Sequence, residues 1–343
     1  MNLGIELAER ALLPDAWIRA GIRRLDRRRL AELARGGVEA RSRSARRFLD
    51  QLRASPVALE TDRPKAQHYD LPPAFFRLVL GRRMKYSSGH WPSGVTGLDD
   101  AEESMLSLCG LRAELEDGME ILDLGCGWGS LALWAAETFP NARVLAVSNA
   151  PPQLAFIQET ARERGLPNVR TALWDMNRVK MDRRFDRVLS IEMFEHMRNW
   201  KALLARIGGW LEPQGKVFVH VFTHRRFSYL FETDGAADWM GRHFFTAGMM
   251  PSDDLMLRVQ DDLRVERHWS LSGTHYEKTA EAWLSNMDRH REEILEIFSG
   301  VYGRSRAGRW VQRWRIFFMA CAELWGYAGG EEWLVSHYRL AGR

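Results

Sequence analysis

The chain has 343 residues, of which 45% are hydrophobic and 27% charged, with a formal net charge of +4. That length allows one large domain or two ordinary ones, and the composition fits a globular fold with a substantial core rather than a disordered or fibrous chain. Cys109, Cys126 and Cys321 are too few and too far apart for a disulfide framework or a metal site, no apolar run is long enough to span a membrane, and the first residues lack the apolar core of a signal peptide, so a reducing, cytoplasmic location is expected.

The charge is uneven along the chain. Residues 1–65 hold 15 Lys+Arg against 9 Asp+Glu, a balance of +6, which leaves −2 for the rest. Helical spacing of Leu12, Trp17, Ile18, Ile22, Leu25, Leu30 and Leu33, and later Phe48, Leu49 and Leu52, predicts two or three amphipathic helices broken near Gly36-Gly37. This basic extension could touch an anionic membrane or support a homodimer, or it could be a solvated helical face. The mixed signs and the lack of interleaved aromatics argue against nucleic acid.

Residues 66–343 read as the main domain. Pro72 and Pro73 suit a helix start. The loop Met84-Lys85-Tyr86-Ser87-Ser88-Gly89-His90-Trp91 is dense in hydrogen-bonding groups, and Asp99 to Leu111 reads as a helix. Strands are expected at 120–124, 143–147, 169–173, 186–191 and 215–222, with helices near 129–138, 151–164 and 200–211 between them. This alternation predicts an α/β fold with a doubly wound, mostly parallel sheet whose ligand lies beyond the carboxyl ends of the strands. An irregular, substrate-covering insert is expected at about 224–262, a returning strand at 263–269, and helices at about 279–298 and 306–326. The tract Trp333-Leu334-Val335-Ser336-His337-Tyr338-Arg339 alternates like an antiparallel edge strand.

The organising stretch is Ile121-Leu122-Asp123-Leu124-Gly125-Cys126-Gly127-Trp128-Gly129-Ser130, an apolar strand, a glycine turn and a helix start. Glycines let the backbone take positive φ and let a ligand approach the main chain, and the helix aims its first N–H groups at the turn. A dinucleotide site would need its third glycine one residue later and an acid after the second strand. Here Val147-Ser148-Asn149-Ala150 offers none, which argues against nicotinamide. After the fourth strand, Glu192, Glu195 and His196 put two carboxylates and an imidazole within five residues. A helical turn there would place them on one face.

These motifs together resemble the cyclopropane fatty acid synthase superfamily of S-adenosylmethionine-dependent methyltransferases. The resemblance rests on Tyr69, Tyr86-Ser87, the glycine turn, Ser148-Asn149 with Gln153, and Met193-Phe194-Glu195-His196. From about residue 67 onward the chain looks most like the coclaurine-type N-methyltransferase branch, through Trp239 with Phe244-Phe245-Thr246, Gly273-Thr274-His275-Tyr276, Trp314-Arg315-Ile316-Phe317-Phe318 and Gly330-Glu331-Glu332-Trp333. It implies a class I, Rossmann-like methyltransferase fold with seven strands and an antiparallel C-terminal strand. It further implies that Tyr86 and Ser87 hold the methionine carboxylate, that Gly125 and Gly127 pass close to the methionine moiety, and that Ser148, Asn149 and Gln153 lie near the ribose. Trp174 and Asp175 would flank the adenine.

The reaction implied is methyl transfer to the nitrogen of a small amine, with Glu192, Glu195 and His196 deprotonating and stabilising it. No metal is called for. Tyr69, His220, Trp239, Phe244, Tyr276, Trp314 and Phe317 are candidates to line the acceptor site, although each ring alone suits an ordinary core. In the lipid branch of the resemblance, Gly stands where Glu192 does and Cys where Ser88 does, and Cys, Glu, His and Tyr hold a bicarbonate. Glu195, His220 and Tyr276 match that set, whereas Ser88 and Glu192 depart from it, which favours an amine. The alternative is methylation or cyclopropanation of an unsaturated acyl chain. A non-catalytic binding module would not need the intact loop, turn and Glu-His cluster.

Overall fold

The computed structural model describes residues 3–59, 71–179, 181–235 and 238–343. Tyr69, the first of the expected lining residues, lies outside them. Three N-terminal helices, α1 (Leu3–Glu9), α2 (Asp15–Leu33) and α3 (Gly37–Arg53), precede α4 (Pro73–Val79) and α5 (Leu98–Ala113). The alternating region then runs β1 (Glu120–Leu124), α6 (Ser130–Thr138), β2 (Arg143–Ser148), α7 (Pro151–Glu163), β3 (Val169–Leu173), β4 (Phe185–Ile191), α8 (Trp200–Gly209) and β5 (Leu211–His224). Local chemistry sets these boundaries. Prolines occupy the first turn of α7, where a missing N–H costs nothing, and the Asn199 side chain caps α8 by accepting from the Ala202 N–H at 3.0 Å.

The insert holds a small antiparallel pair, β6 (Tyr229–Leu230) with β7 (Met249–Met250), and the helix α9 (Trp239–His243). Next come β8 (Leu263–Leu271), α10 (Thr274–Arg289), α11 (Arg291–Tyr302), α12 (Arg304–Trp325) and β9 (Trp333–Gly342). The seven-stranded sheet has the order β3-β2-β1-β4-β5-β9-β8, parallel from β3 to β5, with β9 antiparallel to both of its neighbours. This is the expected doubly wound, Rossmann-like sheet, and its reversal of strand order beside β1 puts the glycine turn at the ligand-binding edge.

Two expectations are corrected. The helix foreseen at 279–298 is two helices that meet at His290, starting five residues earlier. The C-terminal strand is not an edge: β9 lies between β5 and β8, and β8 forms the edge. Its alternating polar residues face partners instead of water. Ser336 bonds Thr223 and Asp253, and His337 bonds His220 and Arg112, so the polar side chains are buried but satisfied.

Helices α10 and α12 pack an aromatic layer whose largest fully buried rings include Trp283 and Trp314, and each such ring contributes about 1.5–3 kcal/mol of hydrophobic stabilisation. The first two N-terminal helices, α1 and α2, are pinned to that layer by charge. Arg315 bonds Asp15, Arg19 bonds Glu281 and Glu323, and buried Glu9 accepts from Trp239 of the insert (2.7 Å) and from Arg313 of α12 (3.0 Å). Burial works against the Glu9 carboxylate, yet hydrogen bonds from Arg313, Trp239 and Arg309 hold its pKa down at about 2. Among the described residues no helix is long and apolar enough to cross a membrane.

Candidate active site

The turn after β1 opens onto two adjoining cavities, of about 420 Å³ and about 70 Å³. Gly125, Gly127, Gln153 and Glu192 line both. Gly125 and Gly127 sit at φ +84° and +51°, in the left-handed region that glycine adopts without strain. A Cβ at Gly125 would lie 2.6 Å from Met193, whereas one at Gly127 would meet nothing within 4 Å and point into open space. That open cradle beside backbone N–H groups is what a ligand pressed against the main chain requires.

The larger cavity is bounded by Ser148, Asn149 and Gln153 on one side and by Trp174 and Asp175 on another. The Ser148 hydroxyl donates to Gln153 Oε1 at 2.8 Å. The Gln153 Nε2 is buried and has no partner among the described residues, so a donor stands ready for an oxygen of a bound ligand. Asp175 lies exposed at the rim, its Oδ1 accepting from the Asn177 N–H at 2.8 Å.

The smaller cavity is walled by Tyr86, Ser87 and Asp123. Glu102 of α5, buried in the core, holds the approach to this loop by accepting from the backbone N–H groups of Gly81 and Arg83, both at 2.9 Å. Lys85 then turns inward, only 1% exposed, and its ammonium donates to Ser87 Oγ and to the Ser88 carbonyl. With its lone pair so engaged, the Ser87 hydroxyl is free to donate its proton into the cavity, backed by a buried positive charge. This arrangement suits a carboxylate. Asp123, also fully buried, has its pKa pushed up to about 7 by burial.

Glu192 sits at the junction of the two cavities, immediately after β4. Its Oε1 accepts from the Ser88 N–H at 3.0 Å and from His220 Nε2 at 3.1 Å, and its Oε2 accepts from the Tyr276 hydroxyl at 2.7 Å. Burial raises its pKa, and the charge of Lys85 with the Ser88 and Tyr276 hydrogen bonds works against that rise. Glu192 itself has φ +49°, so it does not begin a helix, and only Phe194–His196 forms a short 3₁₀ turn. The shared helical face expected for Glu192, Glu195 and His196 is therefore absent. Glu192 is turned away by its left-handed backbone and lies at the cavity junction, and His196 lines the larger cavity with its ring 4.6 Å from Phe245. Glu195 lines neither cavity. It is fully buried, its Oε2 has no partner among the described residues, and burial followed by the neighbouring Glu192 charge pushes its pKa well up.

The lining candidates separate into two groups. His220 and Tyr276 touch Glu192 directly. Phe244 and Phe317 stack on each other at 4.4 Å, Trp314 meets Phe244 at 5.0 Å, and Trp239 is tied to Glu9, which puts these four in one aromatic layer. Around Glu192 and His196 the structure brings rings that are not among the expected lining residues. Trp325 lies 4.3 Å from Tyr276 and 5.4 Å from Phe222, and Phe245 lies 5.6 Å from Phe222. Lys85 and Glu102 were also missed, since nothing in spacing tells a buried ion from a surface one.

The sequence model of the mycolic acid cyclopropane synthetase family matches residues 60–327. The chain is 38% identical over 333 residues to (S)-coclaurine N-methyltransferase of Thalictrum flavum subsp. glaucum, spanning 96% of this chain and 92% of that relative. It is 28% identical over 267 residues to the cyclopropane-fatty-acyl-phospholipid synthase of Escherichia coli (strain K12), spanning 74% of this chain and 66% of that one. A crystal structure of coclaurine N-methyltransferase bound to N-methylheliamine and SAH superposes with a TM-score of 0.94 at 35% identity, covering 98% of this chain and 97% of the other.

Proposed function

The chain belongs to the mycolic acid cyclopropane synthetase family and is an S-adenosylmethionine-dependent N-methyltransferase, and from that premise we propose that it methylates a small, aromatic-bearing amine with Glu192 as the proton acceptor. The observation that carries this reading is the position of the Glu192 carboxylate, at the junction of the two cavities with three donors fixing its oxygens.

S-adenosylmethionine supplies an electrophilic methyl group on a sulfonium. Ser148, Asn149, Gln153, Trp174 and Asp175 are the residues to hold its adenosine side, Gly125 and Gly127 to pass close to its methionine moiety, and Tyr86 and Ser87, backed by Lys85, to hold its carboxylate. An aliphatic amine resembles Lys in having a pKa near 10.4, so at neutral pH it arrives as a cation without a free lone pair. The anionic Glu192 attracts that cation and takes its proton, and its desolvated setting makes it a stronger base than an exposed glutamate. Glu192 holds that proton as a neutral acid while the amine lone pair takes the methyl and the C–S bond breaks, and it returns the proton to water as the products leave, restoring the carboxylate. The rings of Tyr276, Trp325 and Phe245 cluster beside Glu192 and His196, and an aromatic face within about 6 Å of a desolvated cation would add about 0.5–2 kcal/mol of attraction. Two neighbouring buried carboxylates do not both ionise easily, so Glu195 stays protonated while Glu192 carries the charge. His196, on the wall of the larger cavity, orients the acceptor.

In the same reading residues 1–65 are a basic helical extension and 66–343 the methyltransferase domain, with 224–262 and the helices at 279–326 covering the acceptor. The Glu9 contacts to Trp239 and Arg313 support this division of labour. The exposed Leu12, Trp17 and Leu25, set among arginines, support contact of the extension with an anionic surface or a second copy of the chain, and the enzyme would act in the cytoplasm.

The test is an incubation of labelled S-adenosylmethionine with benzylisoquinoline- or phenethylamine-type amines and, in parallel, with unsaturated phospholipid vesicles. Label in the amine is expected. Label in lipid and in no amine would overturn the proposal.

A further inference from the structure

Behind Glu192 a line of side chains crosses the sheet. Ile191, His220, His337 and Trp269 are register partners on β4, β5, β9 and β8 in turn. The pairing of His220 with His337 sets the two imidazoles against each other, His337 Nε2 to His220 Nδ1 at 2.9 Å. One end of the line is His220 Nε2 on Glu192 Oε1 at 3.1 Å, and the other is Arg112 NH1 on His337 Nδ1 at 2.8 Å. Arg112 comes from the last turn of α5 and lies 4.9 Å over the Trp269 ring, which fixes its guanidinium at the end of the row.

We propose that Arg112 and His337 are positioning residues for the methyl transfer, locking His220 in the tautomer that donates to Glu192. Counting protons along the row fixes both tautomers. A guanidinium has donors only and is not deprotonated in proteins. His337 Nδ1 must therefore accept, which leaves the His337 proton on Nε2. That proton points at His220 Nδ1, so His220 must also accept at Nδ1 and carry its own proton on Nε2, aimed at Glu192. Each ring is left neutral with one allowed tautomer. Burial pushes both pKa values well down, with the Lys85 and Arg112 charges adding to the effect, in accord with neutral rings.

Two alternatives fail on the same facts. The row is not a proton exit, because His220 presents an N–H to Glu192 and passing protons the other way would end by deprotonating Arg112. Nor does it suit a cation, although Cys109 Sγ, His220 and His337 lie close enough together to be ligands. The His220 Nδ1 is occupied by its hydrogen bond, burial pushes the Cys109 thiol up to about 12, and the Lys85 and Arg112 charges repel a metal. What remains is orientation: a fixed row of dipoles with its positive end on Glu192, favouring the carboxylate over the acid.

This inference rests on Glu192 being the functional carboxylate, but its first test needs no substrate. Nitrogen-15 NMR of the imidazoles in the full-length protein, with His220 and His337 assigned by His220→Gln and His337→Gln spectra, should show both rings neutral with the proton on Nε2 from pH 5 to pH 9. A proton on Nδ1 of either ring, or protonation of either near neutral pH, would overturn the proposal whatever the acceptor proves to be. Kinetics supply the second test. Arg112→Gln, whose amide can accept as well as donate, should lower kcat about tenfold with little change in acceptor KM or S-adenosylhomocysteine affinity, the scale typical of outer-shell partners, whereas Arg112→Lys, still a pure donor, should recover most of the loss. Equal kcat in wild type and Arg112→Gln, or equal loss in both variants, would contradict it.

Discussion

The hydroxyl of Tyr276 donates a 2.7 Å hydrogen bond to Glu192 Oε2, joining the start of α10 to the residue that follows β4. The bond favours the charged form of Glu192, against the burial that raises its pKa. Tyr276→Phe removes it, so the Glu192 pKa should rise further and the acid limb of the pH–rate profile should move to higher pH. The loss in kcat/KM should match a hydrogen bond to a charged group, about 1.5–3 kcal/mol or roughly ten- to a hundredfold. An acid limb that moves to lower pH would contradict the assignment.

Glu192 is also conformationally expensive. At φ +49° it occupies a region that costs an ordinary L-residue about 1–2 kcal/mol and glycine almost nothing. Glu192→Gly and Glu192→Ala both remove the carboxylate, but only the glycine relieves the backbone. Denaturant unfolding should therefore find the glycine variant more stable than the alanine variant by about 1 kcal/mol. Strain kept at a site because the side chain is needed there explains why a glutamate stands where glycine would fit better.

A second consequence of burial is visible in Asp123, whose carboxyl is raised from an ordinary value of 3.8 to about 7. Between those values the native protein holds a proton that the unfolded chain has released, so raising the pH removes stability. Asp123→Asn has no such proton. Its stability relative to wild type should rise as the pH goes from about 4 to about 7 and then level off, which thermal melts at matched ionic strength can follow. A difference independent of pH would mean that Asp123 is not so perturbed.

Much of this architecture could be read from residue patterns. The alternation of apolar runs with helical spacing located β1 to β5 to within a few residues; β1 and β2 are buried on both faces and read as apolar runs, while β3, a partly exposed edge strand, gives a weaker pattern. The glycine turn and its separation from Ser148 and Gln153 marked the ligand edge. What stayed hidden depends on long-range pairing. Trp333–Arg339 alternates as an edge strand would, but β5 and β8 pair with it on both sides, and Thr223, Asp253, His220 and Arg112 satisfy the polar side chains so buried. Lys85 looks like any surface lysine in sequence. The helical face predicted for Glu192, Glu195 and His196 failed because one positive φ, invisible in a run of ordinary residues, turned Glu192 into the cavity junction and left Glu195 behind.

Glu192→Gln tests most directly whether the Glu192 carboxylate takes the amine proton. Gln keeps the size of the side chain and an oxygen that can accept from Ser88 and His220, but it has lost basicity. Measured side by side, calorimetric affinity for S-adenosylhomocysteine should stay within about threefold of wild type, while kcat for the amine falls at least a hundredfold, the scale of a lost general base. Turnover at the wild-type rate in a variant that binds the cofactor product normally would contradict the account.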